Sequence, residues 1–116
     1  MANVALSNGV MLTLQDGVIA TGNGKHAVLP PALRDHTFYI IGSGTISGGT
    51  ILIEEASDPD STNTWALVGT VTASDVTAGA EKAVHVIGTL AAARARVSVA
   101  IAGGGNVTVK MLSGRN

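Results

Sequence analysis

The chain has no cysteine among its 116 residues, which excludes disulfides and thiolate-rich metal sites and leaves nothing that calls for an oxidising compartment. Charge is scarce as well. Charged residues make up 13% of the chain, against about 25% in an ordinary soluble domain. Seven basic and eight acidic side chains give a formal net charge of -1, so the electrostatic footprint expected of a nucleic-acid or anionic-membrane binder is missing. Neither partner is expected. There is one phenylalanine, one tyrosine and one tryptophan; a carbohydrate site built on stacking platforms has little to draw on. Long apolar runs are absent too. The longest, Ala91 to Ala102, is interrupted by Arg94 and Arg96 and is shorter than the roughly 20 residues needed to span a bilayer as a helix. No basic residue precedes Lys25, so Met1 to Leu14 does not read as a secretory signal. A soluble protein is expected.

What remains is a chain that is 46% hydrophobic with 15 glycines. A single domain of this size buries about two-thirds of its unfolded surface and needs no staples. With so few charges to cover it, the surface is either simply that of a Thr/Ser/Gly-rich β-protein or lies in part against other subunits. The chain is organised around Gly42 to Trp65, which holds a turn, a strand, a polar loop and the tryptophan, and reads as a central hairpin. Thr50 to Glu54 alternates, with Ile51 and Ile53 on one face and Thr50, Leu52 and Glu54 on the other.

Upstream, Asn8-Gly9, Asp16-Gly17 and Asn23-Gly24 punctuate short apolar runs, and such dipeptides favour the positive φ angles of tight hairpins. Residues 1–20 are therefore either a small meander or an extended N-terminal arm that pairs with something else. Pro30-Pro31 makes Ala27 to Leu33 an edge strand running into a linker. Thr37 to Ile41 opens the sandwich proper, followed by the strand exit Gly42-Ser43-Gly44. In Thr64 to Val71, the alternation places Trp65, Leu67 and Val71 on one face, with Trp65 in the core. Val71 to Glu81 reads as a loop with one short helical turn, leading to Ala83 to Ile87. The clearest strand follows, with Ala95, Val97, Val99 and Ile101 opposite Arg94, Arg96, Ser98 and Ala100. After Gly103-Gly104-Gly105-Asn106, Val107, Val109 and Met111 alternate with Thr108, Lys110 and Leu112. The expected fold is all-β, an antiparallel β-sandwich or jelly-roll-like single domain over residues 21–116, with a barrel as the main alternative.

The residues that carry chemistry elsewhere do not assemble into a pattern here. His26, His36 and His85 fall on different elements with no HxH or HxxxH spacing for a metal. No GxSxG occurs to present a nucleophile. Gly42-Ser43-Gly44 and Gly103-Gly104-Gly105 precede strand-like sequence, whereas a phosphate cradle needs a following helix. Asp58, Asp60 and Asn63 resemble the start of a calcium loop without its glycine and distant glutamate, and read better as an Asx/Pro turn. Glu54 and Glu55 are adjacent on a strand and point apart, so they cannot work as a paired acid and base. No catalytic, cofactor-binding or metal residue is expected, and the chain does not read as an enzyme.

The succession Thr21-Gly22-Asn23-Gly24, TFYIIGSGTISGGTILIEEASDPDSTNTWALVGTVT, the Arg-led strand from Arg94 to Ala102 and GGGNVTVKML resembles small β-sandwich virion proteins of tailed bacteriophages. Glu55-Ala56-Ser57-Asp58 and Trp65 stand where those proteins carry an acidic strand end and a tryptophan-led strand. The likeness covers about three-quarters of the chain, from Thr21 onward, and its motifs are turns and core positions. It implies a capsid decoration or cement protein, made in the host cytoplasm and bound to the outer capsid surface of the virion. Its partners would be the major capsid protein and further copies of itself, as a homodimer or homotrimer. Capsid contacts would fall on Ala2 to Ala20 and the Pro30-Pro31 linker, so that deleting Ala2 to Asp16 leaves a folded domain unable to bind heads. The alternatives are a tail, neck or fibre component, or a carbohydrate- or receptor-binding module.

Overall fold

The structure, a computed structural model, describes residues 9–58 and 65–115. Among these residues eight strands follow one another: β1 (Gly9–Val18), β2 (Ala27–Val28), β3 (Asp35–Ser43), β4 (Gly48–Ala56), β5 (Ala66–Thr72), β6 (Glu81–Ile87), β7 (Ala92–Ala102) and β8 (Asn106–Gly114). A 3-10 segment, Ala73–Gly79, joins β5 to β6, at the place where the turn-forming sequence led us to expect a loop with a helical turn. The strands form two antiparallel four-stranded sheets, ordered β1-β8-β3-β6 and β2-β7-β4-β5. Strands one and eight, two and seven, three and six, and four and five are thus neighbours. That is a long hairpin rolled up on itself, the wrapping of a jelly roll.

Alternation builds the core. His36, Phe38 and Ile40 on β3, Val107, Val109 and Met111 on β8, and Leu14 on β1 are buried on the inner face of the first sheet. Ile51 and Ile53 on β4, Val71 on β5, and Ala93, Ala95, Val97 and Ile101 on β7 are buried opposite them. One end of the sandwich is closed by Ile46, Ala73 and Val76. There the Thr77 hydroxyl accepts from the Ile46 amide at 2.8 Å, and the Ala78 amide donates to the Gly44 carbonyl at 2.8 Å. Gly42 must be glycine at this end, because a Cβ there would lie 1.8 Å from the Val76 carbonyl oxygen.

Four expectations change, three of them through β-bulges, each of which inserts a residue and reverses which face the following side chains take. Asp16-Gly17 is not a hairpin turn. Gly17, at φ +58°, sits in a doubly bulged stretch of β1, so Gly9–Val18 runs as one strand along β8. The sandwich therefore takes in residues that the sequence assigned to an arm or meander, whereas Met1 to Asn8 lie outside the described residues. Deleting through Asp16 would strip Leu12 and Leu14 from the core rather than remove a dispensable tail. Asn23-Gly24 is likewise no hairpin: the chain from Ile19 descends beside β7, bonded through Ile19, Gly22 and then β2. A bulge between Ile53 and Glu54 separates Leu67 from Val71, so Val71 is buried and Leu67 is 60% exposed. Two more bulges opposite Thr50 turn Val99 out to solvent and return Ile101 to the core.

These assignments are separable by mutation. Leu14→Ala is expected to cost about 2–5 kcal/mol of unfolding free energy, as for other buried leucines, whereas Leu67→Ala should lie within about 0.5 kcal/mol of the parent. Denaturant titration of both proteins would reverse the assignment of β1 and β5 faces if the order were inverted.

Candidate functional site

The outer face of the second sheet carries an ionic cluster built on one carboxylate. Strand pairing sets Glu54 on β4 directly across from Arg94 on β7, and Arg96 lies one alternation further along the same face. Arg94 Nε donates to Glu54 Oε1 at 2.9 Å. Arg96 donates through Nε to Oε1 at 3.1 Å and through its η2 nitrogen to Oε2 at 3.3 Å. One carboxylate thus holds two guanidiniums, with the Glu54 and Arg94 side chains only 6% and 12% exposed. Burial pushes the Glu54 carboxyl up. The hydrogen bonds and positive charges of Arg96 and Arg94 outweigh that and leave it below its ordinary value.

Trp65 completes the group. Its ring lies under the Arg94 guanidinium, whose Cζ is 4.3 Å from the ring centroid, and it meets the His26 ring at 4.8 Å and a tilt of 56°. Trp65 is buried, as the sequence led us to expect, but it lies beneath an arginine outside the apolar layer between the sheets. The reason is the β5 bulge, which separates its face from that of Val71. The cluster fastens the central hairpin to β7 and to the segment preceding β2. It offers a net positive charge in which only Arg96 is substantially accessible, at 36%.

The three histidines stay apart. His26 joins Trp65. His36 is sealed inside, where its Nε2–H donates to the Gly88 carbonyl at 3.0 Å and its Nδ1 stands 2.7 Å from the Ser113 hydroxyl, which donates to it. A serine–histidine pair is therefore present, but no solvent reaches it and its role is to tie β3, β8 and the β6–β7 turn together. His85 lies on the exposed face, 3.0 Å from the Thr37 hydroxyl. Among the described residues, no group of three or more His, Asp or Glu is placed to hold a metal ion. Asp60 and Asn63 of the presumptive turn lie outside the described residues, and Asp58 stands at the end of the described part of that loop. Glu54 faces the arginines and Glu55 the opposite way, so the two carboxyls do not converge. Gly103 and Gly104, at φ +107° and +98°, form a turn into β8, where Gly105 donates to the Thr45 carbonyl.

Sequence reasoning missed two features. One is the ionic cluster: Arg94 and Arg96 were legible as a same-face pair, but their partner follows only from the β4–β7 register. The other is Gln15, a buried amide whose nitrogen donates to the Ala95 carbonyl at 2.7 Å and the Gly22 carbonyl at 3.2 Å. With the Lys25 amide donating to the Leu14 carbonyl, it laces the first sheet to the second along the β1/β2 side.

No family model matches the chain, and no curated protein does. Among solved structures, the chain is similar to the crystal structure of the SPBc2 prophage-derived protein YomS, with a TM-score of 0.63 over 96% of this chain and 98% of that one. Sequence identity is 17%, so the likeness is one of fold.

Two outcomes follow for the ionic cluster. Arg94→Ala leaves Glu54 with a single partner and uncovers Trp65, and is expected to cost about 3 kcal/mol, the range for breaking a buried pair. Because the folded carboxyl titrates below its unfolded value of about 4.3, the stabilisation by Glu54 is fully present above that value and is lost as pH falls through the lower, folded one. Urea titrations from about pH 6 to about pH 3, across the carboxylate range, should give a steeper loss for the parent than for Glu54→Gln; parallel curves would contradict the assignment.

Proposed function

We propose that the protein is a non-enzymatic structural component of a phage virion, a capsid decoration protein that binds the outer head surface and stabilises contacts between major capsid proteins. The observation that carries this reading is the end-to-end correspondence of its fold with a prophage-derived protein, at 96% and 98% coverage with no large insertion on either side. The fold supports it further. A jelly roll is a rigid block that meets its partners through loops and strand edges. The polar groups that would be suspected of chemistry are engaged in holding strands together: Glu54 with two arginines, His36 with Ser113, Gln15 with two carbonyls. The sparse charge suits dense packing on a lattice, where like-charged neighbours would repel.

A decoration protein recognises a surface that the mature head presents. Purified protein mixed with undecorated expanded heads should sediment with them and saturate at a fixed ratio, while tails from the same particles should leave it in the supernatant. Saturable binding to tails alone would move the protein to the tail or neck. Binding to neither, together with saturable binding of a sugar or a host-surface preparation, would replace this reading with that of a receptor-binding module.

A further inference from the structure

The two sides of the roll are finished differently. On the β1/β2 side, several devices that discourage strand addition are present. β2 is only two residues long and runs into Pro30-Pro31. β1 is broken by two bulges and carries Asp16. The descending segment covers β7 through Gly22, and Gln15 with Lys25 laces the sheets together. Among the described residues the β5/β6 side has fewer of them, the one bulge being that on β5 between Leu67 and Gly69. β5 and β6 are the outer strands of the two sheets, and among the described residues each pairs on one side only. Each is seven residues long. β5 has no charged side chain and no proline, and β6 carries charge only at Glu81 and Lys82, the latter already held by Asp75 at 3.2 Å. Leu67 and Ile87 stand at these edges, 60% and 75% exposed.

The two open edges also touch. A Cβ on Gly69 of β5 would meet the Val84 side chain of β6 at 3.2 Å, so both rows of unpaired backbone groups lie side by side at one flank. A single extended segment of another protein could complete only one of them. A partner that completes both must present two strands at the same spacing with no like charges opposed, and a second copy of this chain does so.

We propose that the β5/β6 flank is a self-association surface, on which a two-fold axis normal to the sheets sets β5 antiparallel to β5 and β6 antiparallel to β6 of a second copy. Both sheets then continue from four strands to eight. With the axis near Val84, Glu81 and Lys82 of one copy face the Val86–Ile87 end of the other, and no like charges are opposed. Pairing of this isologous kind stops at two copies. The inference is independent of the virion assignment and stands or falls separately from it.

The test uses the full chain. Light scattering and sedimentation velocity over a concentration series should give a dimer, and amide exchange at high against low concentration should show added protection confined to 66–72 and 81–87. Thr70→Lys/Ala83→Lys, which places lysines at the centre of both exposed edges, should weaken the dimer at least tenfold with an unchanged circular dichroism spectrum. Val28→Lys on the opposite flank should leave the dimer intact. A parent that stays monomeric at all concentrations, a trimer, or concentration-dependent protection away from these two strands would each overturn the proposal, and the exchange measurement decides it even if the double variant fails to fold.

Discussion

The structure depends on two sheets meeting through a single apolar layer that has one phenylalanine and no other ring but His36. Sheets pack face to face at about 10 Å, and that spacing is reached here by fitting large side chains against small ones. Phe38, Ile40, Val109 and Met111 project from the first sheet, while Ala93 and Ala95 on β7 leave room for them between Ile51, Ile53 and Val97. Each fully buried side chain of the larger kind contributes about 1.5–3 kcal/mol, but only if alternation delivers it to the inner face. The bulges are therefore constraints on the core as much as local irregularities. Two of them on the β4–β7 pair turn Val99 out and bring Ile101 back, so that the layer continues to the end of the sandwich.

Once that layer is formed, the polar interactions act as ties between particular strands. His36 joins β3 to β8 and to the turn before β7. Glu54 joins β4 to β7 on the outside, and the stack of His26, Trp65 and Arg94 brings in the chain before β2. Gln15 closes one flank. Among the described residues the opposite flank has no equivalent tie. A finished flank and an open one on the same small block form a directional building unit, which suits the structural role proposed above.

Much of this was legible in the sequence. The alternation of Ile51 with Ile53, of Ala95 with Val97, and of Val107 through Met111 identified inward faces that the structure keeps, and Pro30-Pro31 marked the edge where β2 stops. Asp16-Gly17 and Asn23-Gly24 were correctly read as needing positive φ at glycine, but the same backbone geometry serves a bulge and a strand crossing as well as a hairpin. Bulges are set by how a strand fits its partner, so the reversal between Leu67 and Val71 could not be read from β5 alone. The ionic cluster was out of reach for a related reason. Glu54 and Arg94 are 40 residues apart, and only the register of β4 against β7 places them together.

As a decoration protein, this chain would be a stoichiometric part of a particle. Quantitative mass spectrometry of particles purified from the source measures that most directly, as the copy ratio of this chain to the major coat protein. A decoration lattice gives a ratio near one or a simple fraction of it, constant across preparations. Absence from purified particles, with the chain recovered only from the soluble lysate, would contradict it.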